Sequence, residues 1–261
     1  MGYLPESWLE GSVCGTYGVL QAVTLIGSYS PYIPGFTHYA CPTYYEGYVY
    51  YSSRDDQNRS HIYRSKLDLA TGDCGPPGLV LAPGRPGAPD DSGCTVNQVN
   101  QDGILYLGWQ ARHGPAQFNN TLMRYDGGRK IVRQRDEFAL SIAYGWDADE
   151  GLYYGALYQF HPTKICSLLG PCPLASRSIL VRPCVEDDLL WISYRDDDER
   201  QYHTEVYKAD GRQWVRMCGA DIDEQGDEPY YVHVFSENGV RYMLYNYGPE
   251  FGREGFRLAK L

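Results

Sequence analysis

Glu46-Gly47-Tyr48-Val49-Tyr50-Tyr51-Ser52 reads as a tight turn running into a strand. Glycine beside an acidic residue supplies the positive φ of a two-residue hairpin turn, and the tyrosines and valine behind it favour extended backbone. The pattern returns as Asp102-Gly103-Ile104-Leu105-Tyr106-Leu107-Gly108 and as Glu150-Gly151-Leu152-Tyr153-Tyr154-Gly155-Ala156. It comes back as Asp187-Asp188-Leu189-Leu190-Trp191-Ile192-Ser193 and closes as Asn238-Gly239-Val240-Arg241-Tyr242-Met243-Leu244-Tyr245. Most copies have a second strand behind them: Ser60 to Arg64, Thr121 to Tyr125, Thr204 to Lys208 and Gly255 to Ala259. Copies lie roughly 40 to 55 residues apart, the length of a four-stranded propeller blade. No helical periodicity competes. The spacing predicts an all-β fold, a five-bladed β-propeller with a central pocket, as one domain over residues 1–261. In the N-terminal segment, residues 1–30, Thr16 to Ile26 is left over as a ring-closing strand.

Composition narrows the function classes. The 261 residues carry 23 Lys+Arg against 33 Asp+Glu, a formal net charge of −10. Such a chain gains nothing electrostatically from nucleic acid or an anionic membrane surface, so neither is expected as a partner. No apolar run is long enough for a membrane-spanning helix. The start, Met1-Gly2-Tyr3-Leu4-Pro5-Glu6, shows neither a basic nor an apolar signal region, so a cytoplasmic setting with reduced thiols is expected for the eight cysteines. Those cysteines show no zinc spacing, and His203-Thr204-Glu205 lacks a following Pro-Cys-x-x-Cys. Gly84-Arg85-Pro86-Gly87 lacks the Gly-Lys-Ser/Thr of a phosphate loop. No cofactor and no metal is expected.

A propeller gathers the starts of its inner strands around one axis, so polar residues distant in sequence converge there. Ile33-Pro34-Gly35-Phe36-Thr37-His38-Tyr39-Ala40-Cys41-Pro42-Thr43, with Tyr50-Tyr51-Ser52-Ser53 after it, resembles the first blade of glycoside hydrolase family 43-type enzymes. A closer likeness is to glycosidase-like propellers associated with polysaccharide biosynthesis. It runs through Arg54-Asp55, Asn58-Arg59-Ser60, Pro83-Gly84-Arg85-Pro86-Gly87, Asp90-Asp91-Ser92-Gly93, Leu105 to Trp109, Tyr242 to Asn246 and Gly252 to Phe256. The likeness spans residue 33 to the C-terminus. It implies a carbohydrate-active propeller of the family 43 or family 130 type.

Family 43-type hydrolases use three carboxylates, because one group protonates the leaving oxygen while another activates water across the ring. In this sequence the base position falls on Cys41, the second-blade Asp is matched by Asp91, and the acid position carries Arg182. Arg54 and Arg195 end equivalent strands. Guanidinium groups suit phosphate or carboxylate, and the related mannoside phosphorylases hold inorganic phosphate with basic residues in the same kind of pocket. These substitutions point to cleavage or transfer of a glycosyl group of an anionic or phosphorylated sugar. The alternative is a non-catalytic carbohydrate-binding propeller that has lost its acid/base pair.

Asp91 and Glu228 are the candidate catalytic carboxyls. Asp91 also suits an ordinary turn, and Glu228 also suits a solvated acidic loop beside Asp221, Asp223, Glu224 and Asp227. His38, Arg54, Asp55, Trp109, Arg182, Arg195, Tyr230 and Asn246 are the candidate substrate-binding residues. An ordinary alternative pairs Arg54 with Asp55 or Asp56, and Arg195 with Asp196 or Asp197. Trp109, Tyr144, Trp146, Tyr230 and Tyr231 are candidates to stack on sugar rings. Neither the sugar nor the oligomeric state is legible.

Overall fold

The computed structural model describes residues 24–57, 59–85, 94–101, 104–112, 118–125, 129–132, 145–147, 152–154, 156–161, 164–171, 178–186, 189–196, 201–210, 213–220, 229–248 and 253–261. Every regular element among them is a strand. β1 (Thr24–Tyr29) leads the chain. The first four-stranded sheet is β2 (Thr37–Tyr45), β3 (Tyr48–Arg54), β4 (Ser60–Lys66) and β5 (Gly78–Leu81), in that order. The second is β6 (Cys94–Gln101), β7 (Ile104–Arg112), β8 (Phe118–Tyr125) and β9 (Arg129–Val132). Two short pairs follow, β10 (Gly145–Asp147) with β11 (Leu152–Tyr154), and β12 (Ala156–His161) with β13 (Lys164–Pro171). Another four-stranded sheet holds β14 (Ser178–Glu186), β15 (Leu189–Asp196), β16 (Tyr202–Asp210) and β17 (Gln213–Ala220). In the last sheet β18 (Tyr230–Glu237), β19 (Val240–Asn246) and β20 (Phe256–Lys260) are joined by β1 on the outer edge.

All five repeated strands of the sequence are therefore strands, as β3, β7, β11, β15 and β19. The turns in front of the first and last have the geometry their residues promised. Glu46 and Gly47 have φ of 46° and 79°, and Asn238 and Gly239 have 52° and 76°. Both central residues at positive φ is the turn that matches the twist of a hairpin. The other three turns lie outside the described residues. The expected N-terminal strand, Thr16 to Ile26, overlaps β1 (Thr24–Tyr29) at its end, and its residues 16–23 lie outside the described ones.

Sheets pack face against face through aromatic and branched side chains. Between the first and last sheets, Val49, Tyr51, Tyr63, Phe235, Leu244, Phe256 and Leu258 form one buried cluster. Tyr44 stacks on Phe235 there, with ring centroids 4.2 Å apart. Between the last sheet and that of β14, Trp191, Val206, Val232, Val234, Met243 and Tyr245 form a second. Burying such a side chain contributes roughly 1.5–3 kcal/mol. The inner strands follow one another as neighbours: β14 beside β18, β18 beside β2, β2 beside β6. β12 approaches β6, while β13 approaches β17.

Cys218 departs from the expected reduced state. Reduced thiols were expected throughout, and Cys41, Cys74 and Cys184 are thiols, but the fully buried Cys218 is disulfide-bonded.

The two ends of the described chain meet at one amide. Asn246, fully buried at the end of β19, donates from Nδ2 to the carbonyls of Tyr39 and Gly255, both at 2.7 Å. Its Oδ1 accepts the backbone N–H of Cys41 at 2.9 Å. Removing it strands one buried donor and two buried acceptors, each costing about 1–3 kcal/mol. Asn246→Ala is expected to destabilise the fold by about 3 kcal/mol, a fall in Tm of roughly 6–12 °C at this chain length. Thermal melts check it, and a variant melting within about 2 °C of the parent contradicts the clamp.

Candidate functional site

The innermost strand of each four-stranded sheet breaks register with its neighbour in its first half. In β2 the break falls between Ala40 and Thr43, in β6 between Thr95 and Val99. In β14 it falls between Ile179 and Arg182, and in β18 between Tyr230 and His233. Bulges of this kind re-aim side chains and gather beside active sites. Since β14, β18, β2 and β6 are consecutive neighbours, the four breaks lie at the same end of adjoining strands.

Two of the breaks are backed by strained backbone. Cys41 has φ of 62° and Tyr231 has φ of 51°, and His38 at the start of β2 has 68°. Bulky residues occupy this region only when the surroundings enforce it. For Cys41 the enforcing group is Asn246, whose oxygen takes the Cys41 amide. For Tyr231 it is the packing around Tyr230, which stacks on Tyr202 at 3.9 Å and donates its hydroxyl to the Tyr247 carbonyl.

Counting from each hairpin turn exposes an equivalence. Arg54, Arg195 and Asn246 are each the seventh residue of the strand paired to the innermost one. In register they face the starts of the inner strands: Arg54 opposite Thr37, Arg195 opposite Ile179, Asn246 opposite Tyr230. Arg182 re-enters the ladder directly after the break in β14, opposite Ser193. Trp109 lies on β7 between Cys94 and Thr121. Asp91 and Glu228, the two carboxyls picked for catalysis, lie outside the described residues.

Three of the residues picked for substrate have structural work to do. Asn246 is consumed by the clamp, and Tyr230 is fully buried in the Tyr202 stack. Asp55 builds its own loop: Oδ1 accepts the amides of Gln57 and Arg59 at 3.1 and 2.8 Å. Its Oδ2 accepts from Arg59 Nε at 3.0 Å and from His61 Nε2 at 3.1 Å. The partners of Asp55 are thus Arg59 and His61 rather than Arg54. His38 is half-buried, with Nδ1 2.9 Å from the Thr37 hydroxyl oxygen.

A second thiol lies against the inner strands. His233 on β18 donates from Nε2 to the Tyr44 carbonyl at 3.3 Å, which leaves Nδ1 as acceptor toward Cys184 Sγ at 3.7 Å. The Val234 amide donates to the same sulfur at 3.4 Å, tying β14 to β18. At the opposite end, the hairpin end, a groove of about 630 Å³ opens between the first and last sheets. Tyr44, Lys66, Asp68, Cys74, Glu237 and Asn238 are among its walls. Burial, with Asp73 beside it, pushes the Cys74 thiol up to about 12, so it stays protonated. No group of three or more metal-ligating side chains occurs among the described residues.

No family model matches the chain. Two uncharacterized proteins of Mycobacterium tuberculosis, from strains CDC 1551 / Oshkosh and ATCC 25618 / H37Rv, are 29% and 28% identical to it. Each match covers 82% of this chain and 87% of the relative. Among solved structures, one described as a glycoside hydrolase matches with a TM-score of 0.63 at 13% identity, over 99% of this chain and 96% of that one. The α-L-arabinofuranosidase from Lactobacillus brevis matches at 0.54 and 14% identity, over 88% and 92%. A GH43 β-xylosidase/α-arabinofuranosidase from a compost metagenome, in complex with xylotriose, matches at 0.51 and 11% identity, over 92% and 95%. The chain has the β-propeller fold of glycoside hydrolases.

Asp55 yields a pH signature. Burial alone raises its carboxyl, but the Arg59 amide, His61 and the Arg59 guanidinium outweigh that and hold it below the ordinary carboxylate range. A depressed folded-state value gives stability above about pH 4 that is lost as pH falls through the folded value. Asp55→Asn is expected to melt below the parent at pH 7, with the gap narrowing below about pH 4. Melts at pH 7, 5 and 3 check this, and a gap as wide at pH 3 as at pH 7 contradicts it.

Proposed function

We propose that this protein is a five-bladed propeller whose central mouth takes a carbohydrate, and that it cleaves or transfers a glycosyl group of an anionic or phosphorylated sugar. The observation that carries this reading is the placement of Arg54 and Arg195 at the open ends of the β2–β3 and β14–β15 hairpins, which stand on either side of β18, with Arg182 directly after the break in β14. Support for five blades comes from the two short pairs, β10–β11 and β12–β13, which stand in sequence between the second and fourth sheets, with β12 near β6 and β13 near β17.

A fork of guanidinium donors matches phosphate or carboxylate and gives a bidentate geometry unavailable to lysine. Cys41 is a buried thiol where family 43-type hydrolases have a base carboxylate. An attacking water must lose a proton to a base, whereas inorganic phosphate arrives already ionised and needs none. Phosphate as co-substrate therefore suits this mouth better than water. Asp91 or Glu228 would protonate the leaving oxygen. The same thiol favours a second reading, a carbohydrate-binding propeller without catalysis.

A thermal-shift screen tests both, using inorganic phosphate, sugar phosphates, uronic acids and neutral xylo-oligosaccharides. A ligand present at one hundred times its Kd stabilises the folded state by about 2.7 kcal/mol. An anionic compound is expected to raise Tm, with the shift lost in Arg195→Ala, and sugar release from the bound compound then marks an enzyme. Stabilisation by neutral oligosaccharides alone contradicts the anionic substrate. Binding without turnover favours the second reading.

A further inference from the structure

Glu254 lies in the loop between β19 and β20, one residue before the Gly255 carbonyl that the Asn246 amide holds. The same amide holds Cys41, so the loop carrying Glu254 is fastened to the broken inner strand. The Glu254 backbone carbonyl accepts the Tyr247 hydroxyl at 3.1 Å, which fixes the loop from the other side. Its side chain crosses Gly248: a Cβ built there would lie 2.8 Å from Glu254 Cδ and 3.1 Å from Oε2. Gly248 has φ of 84°, so both its missing side chain and its conformation make room for this carboxylate.

Within that cradle Oε2 is buried and has no hydrogen-bond partner. Burying a carboxylate oxygen without a donor is costly, and native proteins keep such an atom where it meets something else. Glu254 is the one carboxylate in this condition among the described residues. It stands at the same end of the sheets as the inner-strand breaks, since Asn246 pairs with both Tyr230 and Phe256 there.

We infer that Glu254 is a ligand-binding residue that accepts hydroxyl groups from the sugar portion of the substrate. The inference rests on the carbohydrate reading above and adds an orientation to it. A carboxylate repels phosphate and uronate groups, so the charged end of the ligand lies toward β14 and β15, which bring Arg182 and Arg195. The neutral hydroxyls lie toward the last sheet.

Calorimetric titration of the parent, Glu254→Met and Glu254→Gln tests this, with inorganic phosphate and the sugar phosphates and uronic acids as probes. Methionine keeps the length and removes the acceptor; glutamine retains one acceptor oxygen. Glu254→Met is expected to weaken sugar-phosphate or uronate binding at least tenfold, with Glu254→Gln in between. Inorganic phosphate, which brings no sugar hydroxyl, binds all three equally. The unliganded Tm of Glu254→Met is unchanged or raised, because an unpartnered carboxylate has been removed. Equal sugar binding by all three proteins, a parallel loss of inorganic phosphate, or a fall of the unliganded Tm overturns the inference and leaves the carbohydrate reading standing. A parent that binds none of the sugars sinks that reading, and this inference with it.

Discussion

A single buried side-chain amide holds the first inner strand to the last sheet. Asn246 reaches across 205 residues of sequence to the Cys41 amide and 207 to the Tyr39 carbonyl, satisfying two backbone groups of the broken strand β2 together with the Gly255 carbonyl just before β20. A bulge with buried, unpaired backbone is tolerable only when something else completes its hydrogen bonds. The break in β2 is therefore not a local property of its sequence. It exists because the other end of the chain supplies the missing partners.

Closure is reinforced at the rim. β1 extends the last sheet by pairing with β20, so the outer strand comes from the N-terminal side and the three inner ones from the C-terminus. Gly27 of β1 meets Gly72 of the first sheet's loop so closely that a Cβ on Gly72 would lie 2.8 Å from the Gly27 Cα. Contacts this distant in sequence are entropically slow to form and arrive late in folding. The strained residues Cys41 and Tyr231 depend on that closure, and the candidate mouth with them.

What the sequence made legible follows from how local each cause is. Hairpin turns such as Glu46-Gly47 and Asn238-Gly239 need positive φ at both central residues, a demand that Asn238, Gly239 and Gly47 meet by residue type and Glu46 only beside its glycine. The repeated strands after them were equally readable. The register breaks left only one mark, Pro42, which cannot donate to a ladder and sits inside the break of β2. The structural partners of Asn246 and Asp55 are not legible in the sequence, because a polar residue at a strand end looks the same whether it faces a sugar or a neighbouring backbone. Glu254 carries no mark in the sequence for the converse reason: it is set apart by the donors it lacks, and those depend on packing around Gly248 rather than on spacing.

On the proposed function, carbohydrate binds at the end where the inner strands break, not in the 630 Å³ groove at the hairpin end. Hydrogen–deuterium exchange of the protein with and without a stabilising sugar distinguishes the two directly. Protection is predicted in peptides covering 37–45, 178–186 and 230–237. Protection confined to 66–75 and 237–240 would contradict the account and move the site to the groove.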